Sequence, residues 1–284
     1  MPLPQLADIL TTLDLTESGD DMFIAEQIDN ADHHIIGGHI AAQALMAASR
    51  TAAGRLPHSV HVYLLRAGDA RHPVQMRVSR LRDGGALSTR QVTAHQDGEI
   101  LLEALASFSA PVDSAEYQQS LPEVPDPESL PAVEDQLRAY ADEFGEFWVL
   151  PQAIERRYVD APPRLAMDLP SPPERTRMWW RPAESVSDDP ILNSCLLTYV
   201  SGTTMLEAAM TMRRTSQLRS FSALIDHAVW FQRPADLSDW VLSDQVSPSG
   251  IHGRGLASVT MYNRAGQLVC TATQELYFGR DRAR

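Results

Sequence analysis

The 284-residue chain contains no lysine, and all 24 of its basic residues are arginines. That absence excludes Schiff-base chemistry and the lysine of a phosphate-binding P-loop. Two cysteines, Cys195 and Cys270, are too few for a disulfide framework and fit a reducing compartment. Positive charge is scarce overall. Thirty-seven acidic residues give a formal net charge of -13, so the chain lacks the concentrated positive field that non-specific binding to nucleic acid or anionic membrane requires. No apolar run approaches the roughly 20 residues that cross a bilayer. The opening stretch MPLPQLADILTTLDL carries Asp8 and no basic segment, unlike a signal peptide. A cytoplasmic protein is expected, with no nucleic-acid partner and no membrane span.

What is present supports a folded chain. At 44% hydrophobic and 21% charged residues the sequence can bury a sizeable core, and its length calls for one large domain or two ordinary ones. The acidity is local. Ten acidic residues and only Arg138 as a base lie between Asp113 and Glu146, a contribution of -9. Prolines 122, 125, 127 and 131 in the same stretch forbid a long helix or a regular ladder. The pattern predicts a solvated surface connector over 111–132, then a short helix through EDQLRAYADEFGEF. Domain limits are expected at 1–110, 111–155 for the connector, and 156–284.

Each half shows helix before strands. Leu3–Leu15 has helical spacing, and a second helix starts at Gly37, with seven alanines among the fifteen residues from His39 to Ala53. Such a thin helix suits being wrapped by a sheet, and Gly37 and Gly38 permit close backbone approach. Alternation at Val60, Val62, Leu64 and at Val74, Met76, Val78 predicts strands, and Asp97-Gly98 a hairpin turn. In the second half Leu192 to about Arg214 reads as one helix, followed by three strands. Hairpin-linked strands after a helix indicate an α+β chain with antiparallel sheet. The halves also match each other. LLRAGD at 64–69 parallels FQRPAD at 231–236 at an offset of 167, and Gly98 parallels Gly266 at 168. With the closing phenylalanines Phe108 and Phe278, three matches in order at a near-constant offset indicate two copies of one unit.

Familiar nucleophile, P-loop and metalloprotease motifs are absent. His33, His34 and His39 with Asp32 do not make a convergent ligand set, and His58 and His61 face opposite sides of one strand, so no metal site is expected. Gln274 stands out. It shares the apolar parity of Leu268, Cys270, Ala272, Leu276 and Phe278, so its amide should be buried and in need of partners. Two roles fit it: a structural hydrogen bond to backbone, or the positioning of a water or substrate carbonyl. The residue 168 positions earlier is Ala106. Asp226 and His227 are adjacent in a strand, point to opposite faces, and cannot form a dyad by themselves. Trp179, Trp180, Trp230 and Trp240 read as core or subunit-contact aromatics, or as the lining of an acyl pocket.

IIGGHIAAQALMAA at 35–48, LPHSVHVYLLRAGDARHPVQMRVSRLRDG at 56–84, DDPILNSCLLTYVSG at 188–202, ALIDHAVWFQRP at 223–234 and GQLVCTATQE at 266–275 resemble the acyl-CoA thioesterase II (TesB-like) family. The resemblance implies a double hotdog: two fused units, each a long helix wrapped by antiparallel sheet. It implies hydrolysis of acyl-CoA to a free (fatty) acid and CoA, with no cofactor, no metal and no covalent nucleophile. The exposed sheets are the expected place for homo-oligomer formation.

In that family a carboxylate, a hydroxyl and a glutamine hold the attacking water. Gln274 matches the glutamine. Gly202 occupies the place of the aspartate after Tyr199-Val200-Ser201, and Leu224 that of the hydroxyl residue before Ile225-Asp226-His227. Neither can orient water, and losing such assistance costs about 10²–10⁴ in rate. Candidate substitutes are His39, His58, Glu207 and Asp226, the last expected to share Leu224's strand face. Gly38 is expected to lie against the substrate, where the helix amino terminus polarises the carbonyl. A carboxylate restored at Gly202 is expected to raise hydrolysis. The alternative function is acyl-CoA binding without rapid turnover; a hydratase would need an Asp–His pattern that the chain does not display.

Overall fold

A computed structural model describes residues 3–144, 150–213 and 222–279. The first half runs α1 (Leu6–Leu13), β1 (Thr16–Gly19), β2 (Met22–Ala25), α2 (Gly37–Arg50), β3 (Leu56–Leu64), β4 (Val74–Asp83), β5 (Leu87–Gln96) and β6 (Glu99–Ser109). After the connector come α3 (Val133–Leu137), α4 (Ala141–Phe144), β7 (Ile154–Tyr158), α5 (Pro163–Ala166), β8 (Arg175–Pro182), α6 (Pro190–Thr204), α7 (Leu206–Arg213), β9 (Ser222–Phe231), β10 (Val241–Ile251), β11 (Arg254–Asn263) and β12 (Leu268–Phe278). Strand β7 straddles the limit expected at 155/156, and the end of the expected helix through Phe147 lies outside the described residues.

All twelve strands form one sheet, in the order β1-β2-β4-β5-β6-β3-β9-β12-β11-β10-β8-β7. Every pairing is antiparallel, and β3 meets β9 at the seam through Val60↔Val229. The order reads the same from either end, as two fused hotdog units require. Helices α2 and α6 pack together within this wrap. Every residue of α2 from Gly38 to Ser49 is buried, which an alanine-rich helix tolerates because its small side chains let the sheet close around it.

Irregularities repeat with the fold. β3 bulges at His58 against β6, and β9 bulges at Ile225 against β12, an offset of 167. β6 carries its extra residue at Leu101 and β12 at Val269, an offset of 168. Bulges re-aim side chains and are built-in features of a strand. Their recurrence at the offset of the sequence repeat establishes the duplication more firmly than the short matches alone.

Several expectations are corrected. The helix expected from Leu192 is two, α6 and α7, broken at Met205. Thr203 and Thr204 donate back to the Tyr199 and Val200 carbonyls, each at 2.8 Å, which bends a helix already weakened by Gly202. Four strands follow it, not three. The acidic connector is a surface segment, exposed throughout 111–120, but from Leu121 onward it packs on the second unit rather than standing free as a spacer. Leu121, Val124 and Leu130 cover Trp179 and Trp240, Trp179 Nε1 donates to the Pro125 carbonyl at 3.0 Å, and Arg264 pairs with Asp126 and Glu128 at 2.8 and 2.7 Å.

Candidate active site

The site is built where the amino end of α2 crosses the carboxyl end of α6 over β9 and β12. A methyl carbon on Gly38 would lie 2.8 Å from the Tyr199 carbonyl oxygen, and one on Gly202 would lie 2.5 Å from Gly38 Cα. Side chains have no room between these backbones. A methyl carbon on Gly37 would meet Leu224 at 2.9 Å. Gly37, Gly38, Gly202 and Leu224 therefore converge on one point, although they are spread over 188 positions of sequence. The first amides of α2 have no intrahelical acceptor and supply the positive end of the helix dipole there.

Beside this crossing stand Gln274 and His227, paired across β12 and β9 and both fully buried. The Gln274 amide Nε2 and Oε1 and the imidazole Nδ1 have no hydrogen-bond partner among the described residues. His227 Nε2 lies 2.9 Å from Ser201 Oγ, and its Cδ2 lies 3.6 Å from where a side chain on Gly202 would begin. Burial pushes the imidazole down to about 4, partly opposed by the Thr198 carbonyl. On β10, Gln245 is also fully buried with Oε1 unpartnered. At the repeat offset these three polar residues correspond to Val60, Ala106 and Val78, all buried and apolar. At these three positions the second unit is polar where the first is apolar.

The candidate substitutes are dispersed. His39, on α2, is buried with Nε2 2.8 Å from Thr12 Oγ1, and burial pushes it down to about 4. His58 is the extra residue of the β3 bulge and lines a cavity of about 890 Å³ with Ser194, Arg233 and connector residues such as Glu116. Pro57 and His58 are the repeat counterparts of Leu224 and Ile225, so this cavity lies at the opposite pseudo-symmetric position; Gln274 is not among its lining residues. Asp226 does not share Leu224's face. The bulge at Ile225 resets the alternation, so Leu224 pairs with inward Leu276 while Asp226 pairs with Glu275 and accepts from the Glu275 amide at 2.9 Å. Among the described residues, no group of three metal-ligating side chains converges.

Glu207 faces the outer strands. It pairs with Arg156 at 3.2 Å and accepts a short hydrogen bond from the Tyr158 hydroxyl. Burial pushes its carboxyl up, opposed by Arg156 and Tyr158. Removing one member of a buried ion pair strands the other charge, at a cost of about 3 kcal/mol or more. Glu207→Gln is therefore expected to lose about that much in urea unfolding at pH 7, and an unchanged midpoint would contradict the pairing.

Weighing Asp226-His227 as a dyad hides His227 in the sequence. Taken alone, its parity with Val229 and Phe231 places it on the inner face, which is the available signal.

A twelve-strand sheet wrapped about two central helices defines a double-hotdog protein. The acyl-CoA thioesterase C-terminal domain family matches residues 119–278 and the N-terminal domain family residues 24–109. The chain is 30% identical over 281 residues to acyl-CoA thioesterase 2 of Haemophilus influenzae, covering 95% of this chain and 96% of that protein. The solved tesB protein of Mycobacterium avium subs paratuberculosis is 44% identical with a TM-score of 0.83, over 97% of this chain and 100% of that one. Acyl-CoA thioesterase II TesB2 of Mycobacterium marinum is 32% identical with a TM-score of 0.79, over 95% and 98%. The chain belongs to the acyl-CoA thioesterase family. No helix among the described residues is long and apolar enough to cross a membrane.

Proposed function

We propose that this protein hydrolyses the thioester of acyl-CoA to a free carboxylic acid and CoA, by direct attack of a water positioned at Gln274. The observation that carries this reading is the Gln274 amide: fully buried, with both polar atoms lacking a partner among the described residues. An amide so placed costs about 1–3 kcal/mol unless something polar meets it, and water between it and the α2 amino terminus is the economical answer. The first-turn amides, with Gly38 against the substrate, are suited to the oxyanion that forms as the carbonyl is attacked.

Gly202 and Leu224 stand, in this reading, where the family's water-holding carboxylate and hydroxyl would be. Their replacement supports a second reading, in which acyl-CoA binds with slow turnover. The crowded Gly38–Gly202 crossing favours it, since no side chain from those positions can reach the water.

Release of CoA thiol is to be followed with short, medium and long acyl-CoAs. Gln274→Ala is expected to lower kcat at least about 10²-fold, the range for a lost positioning or oxyanion contact, while leaving binding of a non-hydrolysable thioether analogue within about threefold. Tight binding of acyl-CoA without release of thiol by the unaltered protein would instead establish the second reading.

A further inference from the structure

Among the buried titratable side chains, His227 is the one that joins the glycine crossing to Gln274. It faces Gln274 on β12 and Val62 on β3, and its ring edge lies against Gly202. Cross-strand partners have Cβ atoms about 5 Å apart, a separation that one bridging water can span.

One arrangement of protons satisfies both contacts of Ser201. Ser201 Oγ donates to the Thr198 carbonyl at 3.2 Å, which leaves its oxygen to accept from His227 Nε2 at 2.9 Å. In the tautomer that suits this arrangement Nε2 carries the hydrogen, and Nδ1, buried and without a partner among the described residues, keeps its lone pair. A neutral imidazole oriented through one nitrogen with a free lone pair on the other is the form a general base requires.

We propose that His227, oriented by Ser201, accepts the proton of the water that attacks the thioester, in place of a carboxylate after Ser201. This rests on the thioesterase reading. The water oxygen bonds to the carbonyl carbon as one of its protons passes to Nδ1. The tetrahedral intermediate collapses, the C–S bond breaks, and the departing sulfur takes that proton to leave as CoA thiol. The carboxylic acid keeps the other water proton, and the imidazole is again neutral.

The surroundings set the working range. α6 carries Tyr199, whose phenol burial pushes up to about 12, and α2 carries His39, 6.0 Å from Tyr199 ring to ring. On β12, burial raises the Cys270 thiol. Asp226 and Glu275 pair on the opposite face of the sheet. No ion pair holds the His227 proton, so the imidazole stays neutral well below the usual histidine range.

His227→Asn keeps a polar group of similar reach but cannot act as the base. It is expected to lower kcat at least about 10²-fold with KM within about threefold. Ser201→Ala, expected to lower kcat about tenfold at unchanged KM, serves as the deciding variant if His227→Asn does not fold. The unaltered enzyme is expected to hold its kcat from pH 8 down to about 5, because the base protonates only near 4. A His227→Asn enzyme within about threefold of the original kcat, a Ser201→Ala enzyme unchanged in kcat, or an acid limb centred near 6.5 would each overturn the proposal. Hydrolysis that needs Gln274 but survives His227→Asn overturns this proposal alone. Absence of any hydrolysis by the unaltered protein overturns the thioesterase reading and this proposal with it.

Discussion

Gly202→Asp is expected to cost about 4 kcal/mol and to lower the thermal midpoint by about 10 °C, rather than to raise hydrolysis. Helices α2 and α6 touch backbone to backbone at this point, and the first side-chain carbon on Gly202 would lie 2.5 Å from Gly38 Cα and 3.3 Å from Gly38 N. Neither atom is the end of a flexible side chain, so the collision can be relieved only by separating the helices. That separation would expose α2, which is buried from Gly38 to Ser49, and would place a carboxylate against it. Gly38→Ala meets the Tyr199 carbonyl and the Gly202 backbone from the other side and should behave similarly. Gly85→Ala, with no atom within 4 Å, is the control and should change little. Scanning calorimetry of the three variants measures this. A Gly202→Asp protein with its midpoint within about 2 °C of the original would contradict the crossing.

A second large effect is expected in acid. His39 and His227 are both buried and both pushed from 6.5 to about 4 by burial. Between those values the unfolded chain binds protons that the folded chain refuses, so stability falls as pH falls from 6.5 towards 4. Each histidine contributes roughly 3 kcal/mol to this loss at its limit. Unfolding free energy from urea titration should drop by about 5 kcal/mol between pH 7.5 and 4.5. The carboxyls of Glu207 and Glu134 are raised by burial and act in the opposite sense, relieving charge as the pH falls. His39→Gln should remove about half of the drop. A free energy flat from pH 7.5 to 5 would show that the two imidazoles are not buried neutral.

Much of the architecture is legible in the residues. The duplication shows at Arg66/Arg233 and Gly98/Gly266 because turn chemistry is local, and the bulges at His58 and Ile225 recur at the same offset. The burial of Gln274 follows from strand parity, which no bulge interrupts from Ala272 to Gln274. The outer strands are less legible for physical reasons. β1 is four exposed residues with no alternation. β8 buries Trp179 under the connector and Trp180 in the main core, so it is apolar on both faces and shows no period of two. The connector's acidity suggested solvation, but its partners, Arg264 and Arg233, lie more than 100 residues away.

The site is legible only in part. Parity carried past Ile225 puts Asp226 on the wrong face, because one extra residue reverses every side chain beyond it. Gly37-Gly38 signals a close backbone approach, but its partner is long-range and nothing near either glycine names Gly202. Without that contact Gly202 reads as an open position, whereas the fold makes it a point where two helices need the absence of a side chain.

The central claim is thioester hydrolysis through Gln274, and the most direct measurement is CoA thiol release by the purified protein and by Gln274→Ala at saturating acyl-CoA. Catalytic release by the unaltered chain, reduced at least about 10²-fold in the variant at equal analogue binding, is the predicted result. Equal release by both proteins, or none by either, would contradict it.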